Sequence, residues 1–151
     1  MTMGYLLGID VGTTRTAAAT GRADAGLGDF EIVNLGDRSS SVPSVLYLGK
    51  DATVLVGDAA ERRSTTDPDR VVREFKRRIG DPTPIVVAGR NWAPEELSAR
   101  LVRWVVDRVA EREGGPADRI AITHPAAWGG HKKERLTAAL TGYGITASFL
   151  A

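Results

Sequence analysis

Apolar runs broken by glycine and aspartate dominate the first third of the chain, and helical spacing takes over towards its end. Tyr5–Val11 and residues 16–20 are short apolar runs separated by Gly12-Thr13-Thr14, and residues 30–35 make a third run after the Gly- and Asp-rich stretch 21–29. Runs of this kind predict strands, and three in succession predict a meander. A loop follows at Gly36-Asp37-Arg38 and the serines. Residues 42–48 and Val54–Val56 then predict another strand pair around Gly49-Lys50-Asp51, with Pro43 confining the first to an edge or a strand start.

Helical signals begin at residues 58–63. Next, Thr65-Thr66-Asp67-Pro68 sets a capping side chain before a proline, and Val72, Phe75 and Ile79 recur at helical spacing as far as Gly80. This predicts a helix across that stretch. Residues 84–88 predict a short strand. The longest predicted helix covers 94–112: Leu97, Leu101, Trp104, Val105 and Val109 form one stripe, with Arg100, Arg103, Asp107 and Glu111 largely away from it. Such a helix packs flat on a sheet. Gly114-Gly115-Pro116 stops it, Arg119–Thr123 reads as a buried strand, residues 132–143 as a last helix, and ITASFLA as the start of one more parallel strand. Three strands, an insertion, helix, strand, helix is the order of an α/β, ribonuclease-H-like mixed sheet with flanking helices. There, parallel strands extend an antiparallel meander through helical crossovers.

Composition narrows the partners. A chain of 151 residues, 42% hydrophobic and 26% charged, suits one globular domain and argues against disorder. Its 20 basic and 19 acidic residues create no global field, so neither nucleic acid nor membrane is expected and any anion site must be local. The absence of cysteine removes disulfides and thiolate metal sites. The opening MTMGYLLGID has too short an apolar stretch, and no basic region, for a targeting signal, and no window is long enough to span a bilayer. A cytoplasmic location is the expectation.

The densest chemistry lies in GIDVGTTRTAAAT, residues 8–20, where Asp10 stands near a strand end beside a tight turn. Read plainly, Asp10 accepts turn amides. In the sharper reading its carboxylate holds waters of a Mg²⁺ ion that bridges β- and γ-phosphates. Gly12 is either a turn former or a residue that lets the backbone approach phosphate oxygens, the amides of Thr13, Thr14 and Arg15 and the threonine hydroxyls making an anion nest. Arg73, Lys76, Arg77 and Arg78 read by themselves as a solvated charged face. His124 and His131 are too far apart for a metal pair, and Trp92, Trp104 and Trp128 read as packing residues.

Four blocks, in order, carry a resemblance: GIDVGTT; GDRSSSVPSVLYL; LVGDAAERR followed by DPDRVVREFKRRIGD; and RIAITHPAAWGGHKKERL. Together they resemble the first half of the nucleotide-binding domain of the seventy-kilodalton heat-shock (DnaK-type) chaperones, members of the actin-like ATPase superfamily. The resemblance implies that residues 1–151 form the first lobe (lobe I) of a two-lobed ATPase domain, truncated, with a subdomain insertion at 36–92. It implies ATP or ADP with Mg²⁺ as cofactors, Asp10 as metal holder, and Gly12, Thr13, Thr14, Arg15 and Lys76 as nucleotide ligands. Lys76 resembles the lysine that reaches the γ-phosphate and positions the attacking water, which makes Lys76 and Asp10 the expected catalytic pair. Pro125 resembles the hinge that passes nucleotide state to the interdomain linker, with Lys133 as its relay. In an intact protein the resemblance further implies client peptides, a J-domain co-chaperone and a nucleotide exchange factor as partners, in protein folding under stress.

Two departures mark the chain as divergent: Arg15 stands where the family usually has tyrosine or asparagine, and Lys133 where it usually has arginine. The family's second phosphate motif, adenosine motif and peptide-binding domain fall beyond residue 151, so this stretch alone is expected to bind ATP weakly and hydrolyse it negligibly. Two alternatives stand beside the ATPase reading: an inactive scaffold or interaction fragment, and a sugar-kinase-like phosphotransferase that shares GIDVGTT but not the other blocks. An open sheet edge at ITASFLA adds an expectation of self-association.

Overall fold

The computed structural model describes residues 4–22, 30–51, 53–124 and 128–150. Its main sheet is built on β1 (Tyr5–Val11), whose odd-numbered side chains Tyr5, Leu7, Ile9 and Val11 are buried while Asp10 is exposed. β2 (Arg15–Arg22) returns antiparallel to β1, and β3 (Phe30–Ile32) continues the meander along β2. On the other flank β10 (Arg119–Thr123) lies parallel to β1, and β11 (Ser148–Leu150) parallel to β10. The order is therefore β11-β10-β1-β2-β3, with the two-residue β4 (Val42–Pro43) also paired to β2. This is the ribonuclease-H-like arrangement expected from the element order, and β1 is its centre because each of its edges takes a different kind of partner.

Two helices make the crossovers. α2 (Pro94–Glu113), which follows the short α1 (Asp58–Arg62), opens with Pro94 in its first turn, where the missing amide hydrogen costs nothing. It ends at Gly114, whose left-handed φ of 81° carries its N–H to the Ala110 carbonyl. Leu97, Leu101, Val105 and Val109 are buried as their spacing predicts, and Ser98, Ala99, Val102 and Val106 widen the stripe. The apolar residues among these join Leu7, Ile9 and Ile122 of the central strands in one core. α3 (Gly130–Gly142) packs through Leu136 and Leu140 into the same core.

Between β3 and α2 the chain adds two smaller sheets. β5 (Val45–Leu48) is flanked by β6 (Val54–Val56) and β7 (Val71–Arg73), and β8 (Ile85–Val87) pairs with β9 (Arg90–Trp92). The β8–β9 turn places Ala88 and Gly89 at φ of 49° and 82°; two successive left-handed residues give the twist that a two-residue hairpin needs.

The helix expected after Pro68 is not formed. Residues Pro68–Arg70 make one 3₁₀ turn, β7 follows, and Phe75–Arg78 make a second 3₁₀ turn. Val71 and Val72 are β-branched, and the backbone of β5 offers them a ladder to pair with, at Leu46↔Val72 and Tyr47↔Val71. Val72, Phe75 and Ile79 are all buried, as their spacing suggested. The chain reaches that outcome through a strand, a left-handed break at Glu74 (φ 59°) and a tight turn.

Candidate functional site

The turn between β1 and β2 is fixed from below. The Gly12 amide donates to the Arg15 carbonyl at 2.9 Å, closing the turn. The path is crowded: a Cβ on Gly12 would stand 2.2 Å from that carbonyl oxygen, so no other residue fits without moving the backbone. Ser44, on the link between β4 and β5, then holds the turn with three bonds: its amide donates to the Thr14 carbonyl (2.8 Å), its hydroxyl donates to the Gly12 carbonyl (2.8 Å), and the same hydroxyl pairs with Thr16 Oγ1 (2.8 Å). Thr16 and Ser44 are both buried. Arg15 is tied outward, its guanidinium donating to Ser41 Oγ (2.7 Å) and to the Ser41 carbonyl (2.9 Å). Among the described residues, the amides of Thr13 and Thr14 donate to no other backbone group, which leaves two adjacent N–H groups at an exposed turn for an anion.

Asp10 and Lys76 meet at this turn. Lys76, on the 3₁₀ turn anchored by buried Phe75, donates from Nζ to the Val11 carbonyl. Burial pulls the Lys76 ammonium below its ordinary pKa of 10.5, and the nearby Asp10 carboxylate opposes that fall. A desolvated ammonium held by one carbonyl has donors to spare, so an arriving anion would restore what burial removed. Asp10 Oδ1 in turn accepts from Thr123 Oγ1 at 2.8 Å.

Aromatic residues close one side. Lys76 Nζ lies 6.0 Å from the Trp128 ring centre and Lys132 Nζ 5.9 Å, while His124 stacks on the same ring at 6.1 Å. Trp128 therefore does more than fill space: it offers its π face to two ammonium groups beside the turn. A further cavity of about 420 Å³ is lined by Thr13, Thr14, Arg15, Ser44, Arg73 and Glu74, but neither Asp10 nor Lys76 borders it.

The other basic residues of the 73–78 run diverge. Arg73 makes a two-pronged pair with Glu61 (2.9 and 3.0 Å), Arg78 donates to the Thr83 carbonyl, and Arg77 is exposed. Lys133 lies in the first turn of α3, half-buried, and makes no side-chain hydrogen bond to Asp10 or Lys76. The same helical turn does abut the Lys76 segment, since a Cβ on Gly80 would lie 3.3 Å from Lys132 Cγ. Pro125 falls outside the described residues. Sequence reasoning missed Ser44 and Thr123. Ser44 lies in the GDRSSSVPSVLYL block and Thr123 in the RIAITHPAAWGGHKKERL block, but neither is singled out there by residue type or spacing.

A sequence profile described as "Hsp70 protein" matches residues 6–85, more than half of the chain. The chain belongs to the Hsp70 family. It is similar to proteins named "Chaperone protein DnaK" from Thermosipho melanesiensis, Thermotoga petrophila and Thermotoga maritima, in each case 29% identical over 122 residues, covering 81% of this chain. The chain spans about a fifth of the length of these relatives, the aligned part being 20% of each. Membership of the Hsp70 family fits the mixed sheet and flanking helices, which are those of an actin-like ATPase lobe. It also disfavours the sugar-kinase alternative, whose only support is the first turn motif.

Whether the residues suit a magnesium nucleotide is a question of donors. Among the described residues no three His, Cys, Asp or Glu side chains converge as a metal cage. Asp10 is exposed and, among the described residues, its Oδ2 accepts no hydrogen bond. One free carboxylate oxygen beside spare turn amides fits Mg²⁺, which keeps several waters and shares its ligands with phosphate.

Proposed function

We propose that this chain provides one wall of an ATP site in an Hsp70 chaperone, with the 12–15 turn cradling phosphates, Asp10 holding a water of the metal and Lys76 donating to the terminal phosphate. The observation that carries the reading is the convergence of a half-buried ammonium and an exposed carboxylate on a turn whose Thr13 and Thr14 amides donate to no other backbone group among the described residues. Bound Mg²⁺ would neutralise charge on the phosphate oxygens. Lys76 supplies a positive charge preset by the Phe75 anchor, so little reorganisation is needed when negative charge builds up near it. Gly12 keeps the turn low enough for its neighbours' amides to reach an anion, and Ser44 keeps it rigid.

In the same reading Lys133, next to Lys132 in the first turn of α3, relays the state of the site, with Pro125 as the hinge. Residues 36–92 act as a subdomain of the lobe. Client peptides, a J-domain co-chaperone, a nucleotide exchange factor and a cytoplasmic location belong to the intact protein. Among the described residues no helix is long and apolar enough to cross a membrane.

The test is an amide-resolved NMR titration of the chain with Mg-ATP and, separately, Mg-tripolyphosphate. Weak binding with matching shifts at residues 12–15 and 76 is expected from both, because this lobe reads only the phosphates. Asp10→Asn and Lys76→Ala should each abolish the shifts, and Arg77→Ala should leave them. Shifts confined to other surfaces, or equal losses in Lys76→Ala and Arg77→Ala, would refute the assignment and favour a scaffold.

A further inference from the structure

Asp10 and Thr123 are 113 residues apart and meet only because β1 and β10 are neighbours. The parallel register runs Leu6↔Arg119 to Ile9↔Ile122, and one further step sets Asp10 beside Thr123 on the same face of the sheet. The row across the sheet at this level is Ala17, Asp10, Thr123, Leu150. Of the two side chains flanking Asp10, Ala17 offers no polar atom. Thr123 is thus the one strand neighbour in that row able to hold the carboxylate. Its hydroxyl reaches Oδ1 at 2.8 Å, and a β-branched side chain in a strand has few alternative χ1 settings.

An exposed aspartate with both oxygens free samples several rotamers, and only some present an oxygen to a ligand at the turn. A charge-assisted bond to one oxygen removes that freedom. We propose that Thr123 is a positioning residue for the phosphate site: by holding Asp10 Oδ1 it fixes the carboxylate and presents Oδ2 to the water of a divalent cation. This rests on the role given to Asp10 above. It deepens that role by placing half of the cation site's geometry on β10, a strand outside the β1–β2 turn motif.

The test uses the whole chain in three variants, Thr123→Val, which keeps the shape and drops the hydroxyl, Thr123→Ser, which keeps the hydroxyl, and Asp10→Asn. Two quantities are measured. Side-chain Hα–Hβ couplings of Asp10 without metal or nucleotide report its χ1 directly, and Mn²⁺ affinity in excess ATP is read by electron paramagnetic resonance. Wild type and Thr123→Ser should show one Asp10 rotamer, and Thr123→Val an average of several. Mn²⁺ should bind roughly tenfold more weakly to Thr123→Val, the usual cost of losing a partner of a metal-holding group, with Thr123→Ser restoring it. A single Asp10 rotamer in Thr123→Val overturns the positioning claim whatever the metal does. A loss of Mn²⁺ affinity in Asp10→Asn without one in Thr123→Val overturns the inference alone. Unchanged Mn²⁺ affinity in Asp10→Asn overturns the metal role of Asp10 and this inference with it.

Discussion

Replacing Ser44 by alanine should destabilise the protein far more than removing one hydroxyl usually does. The hydroxyl donates to the Gly12 carbonyl and pairs with Thr16 Oγ1, whose residue is fully buried. In Ser44→Ala the Thr16 hydroxyl keeps no partner, which costs about 1–3 kcal/mol. The Gly12 carbonyl loses a bond but lies in a half-buried turn that water can reach, so its share is about 0.5–1.5 kcal/mol. The sum is about 1.5–4.5 kcal/mol. If the larger part comes from the orphaned hydroxyl, removing that hydroxyl as well should help: Thr16→Val combined with Ser44→Ala should recover about 1–2 kcal/mol relative to Ser44→Ala alone, since apolar replacement of both partners leaves nothing unsatisfied. Urea unfolding followed by tryptophan fluorescence gives all four corners of this cycle, with the slope expected to stay constant. A Ser44→Ala variant within about 0.5 kcal/mol of wild type would refute the reasoning, as would a double variant no more stable than Ser44→Ala.

Two further outcomes follow from local geometry. Ala88→Gly should raise the urea midpoint, because alanine at φ 49° pays a left-handed strain of roughly 1–2 kcal/mol that glycine does not, against a smaller entropic cost of glycine; a lower midpoint would show that the turn is not strained. For Lys76, the folded pKa lies below the unfolded value of 10.5, so the unfolded chain holds more protons between the two and stability relative to Lys76→Met must rise with pH through that interval. A flat or falling difference in unfolding free energy across it would mean that the ammonium is fully solvated.

The sheet could be read from the sequence because its signals are local. Glycine-bounded apolar runs mark β1 and β2, and the stripe of Leu97, Leu101, Val105 and Val109 marks a helix that must lie on them. The Val71–Arg78 stretch misled because its apolar spacing fits a helix, whereas its backbone partner, β5, lies more than twenty residues earlier and is invisible to a local pattern. Asp10, Gly12 and the threonines were legible for the same local reason: they lie within one turn. Lys76 needed the family resemblance, since by composition it is one basic residue among four. Ser44 and Thr123 act through hydrogen bonds to residues 32 and 113 positions away, and no periodicity encodes a bond of that range.

The central place of β1 also bears on the order in which the molecule is made. Its antiparallel edge can pair with β2 as soon as that next strand has been synthesised, but its parallel edge stays bare until β10 appears more than a hundred residues later. Closing so large a loop is slow, and domains built on such long-range pairings fold slowly. The aspartate thus waits for more than a hundred further residues before its partner exists: until Thr123 docks, a nascent chain carries the turn motif complete in sequence but with its carboxylate unheld. A β10 that binds late acts as a check on folding, because the Asp10–Thr123 bond is available only to chains whose main sheet has closed.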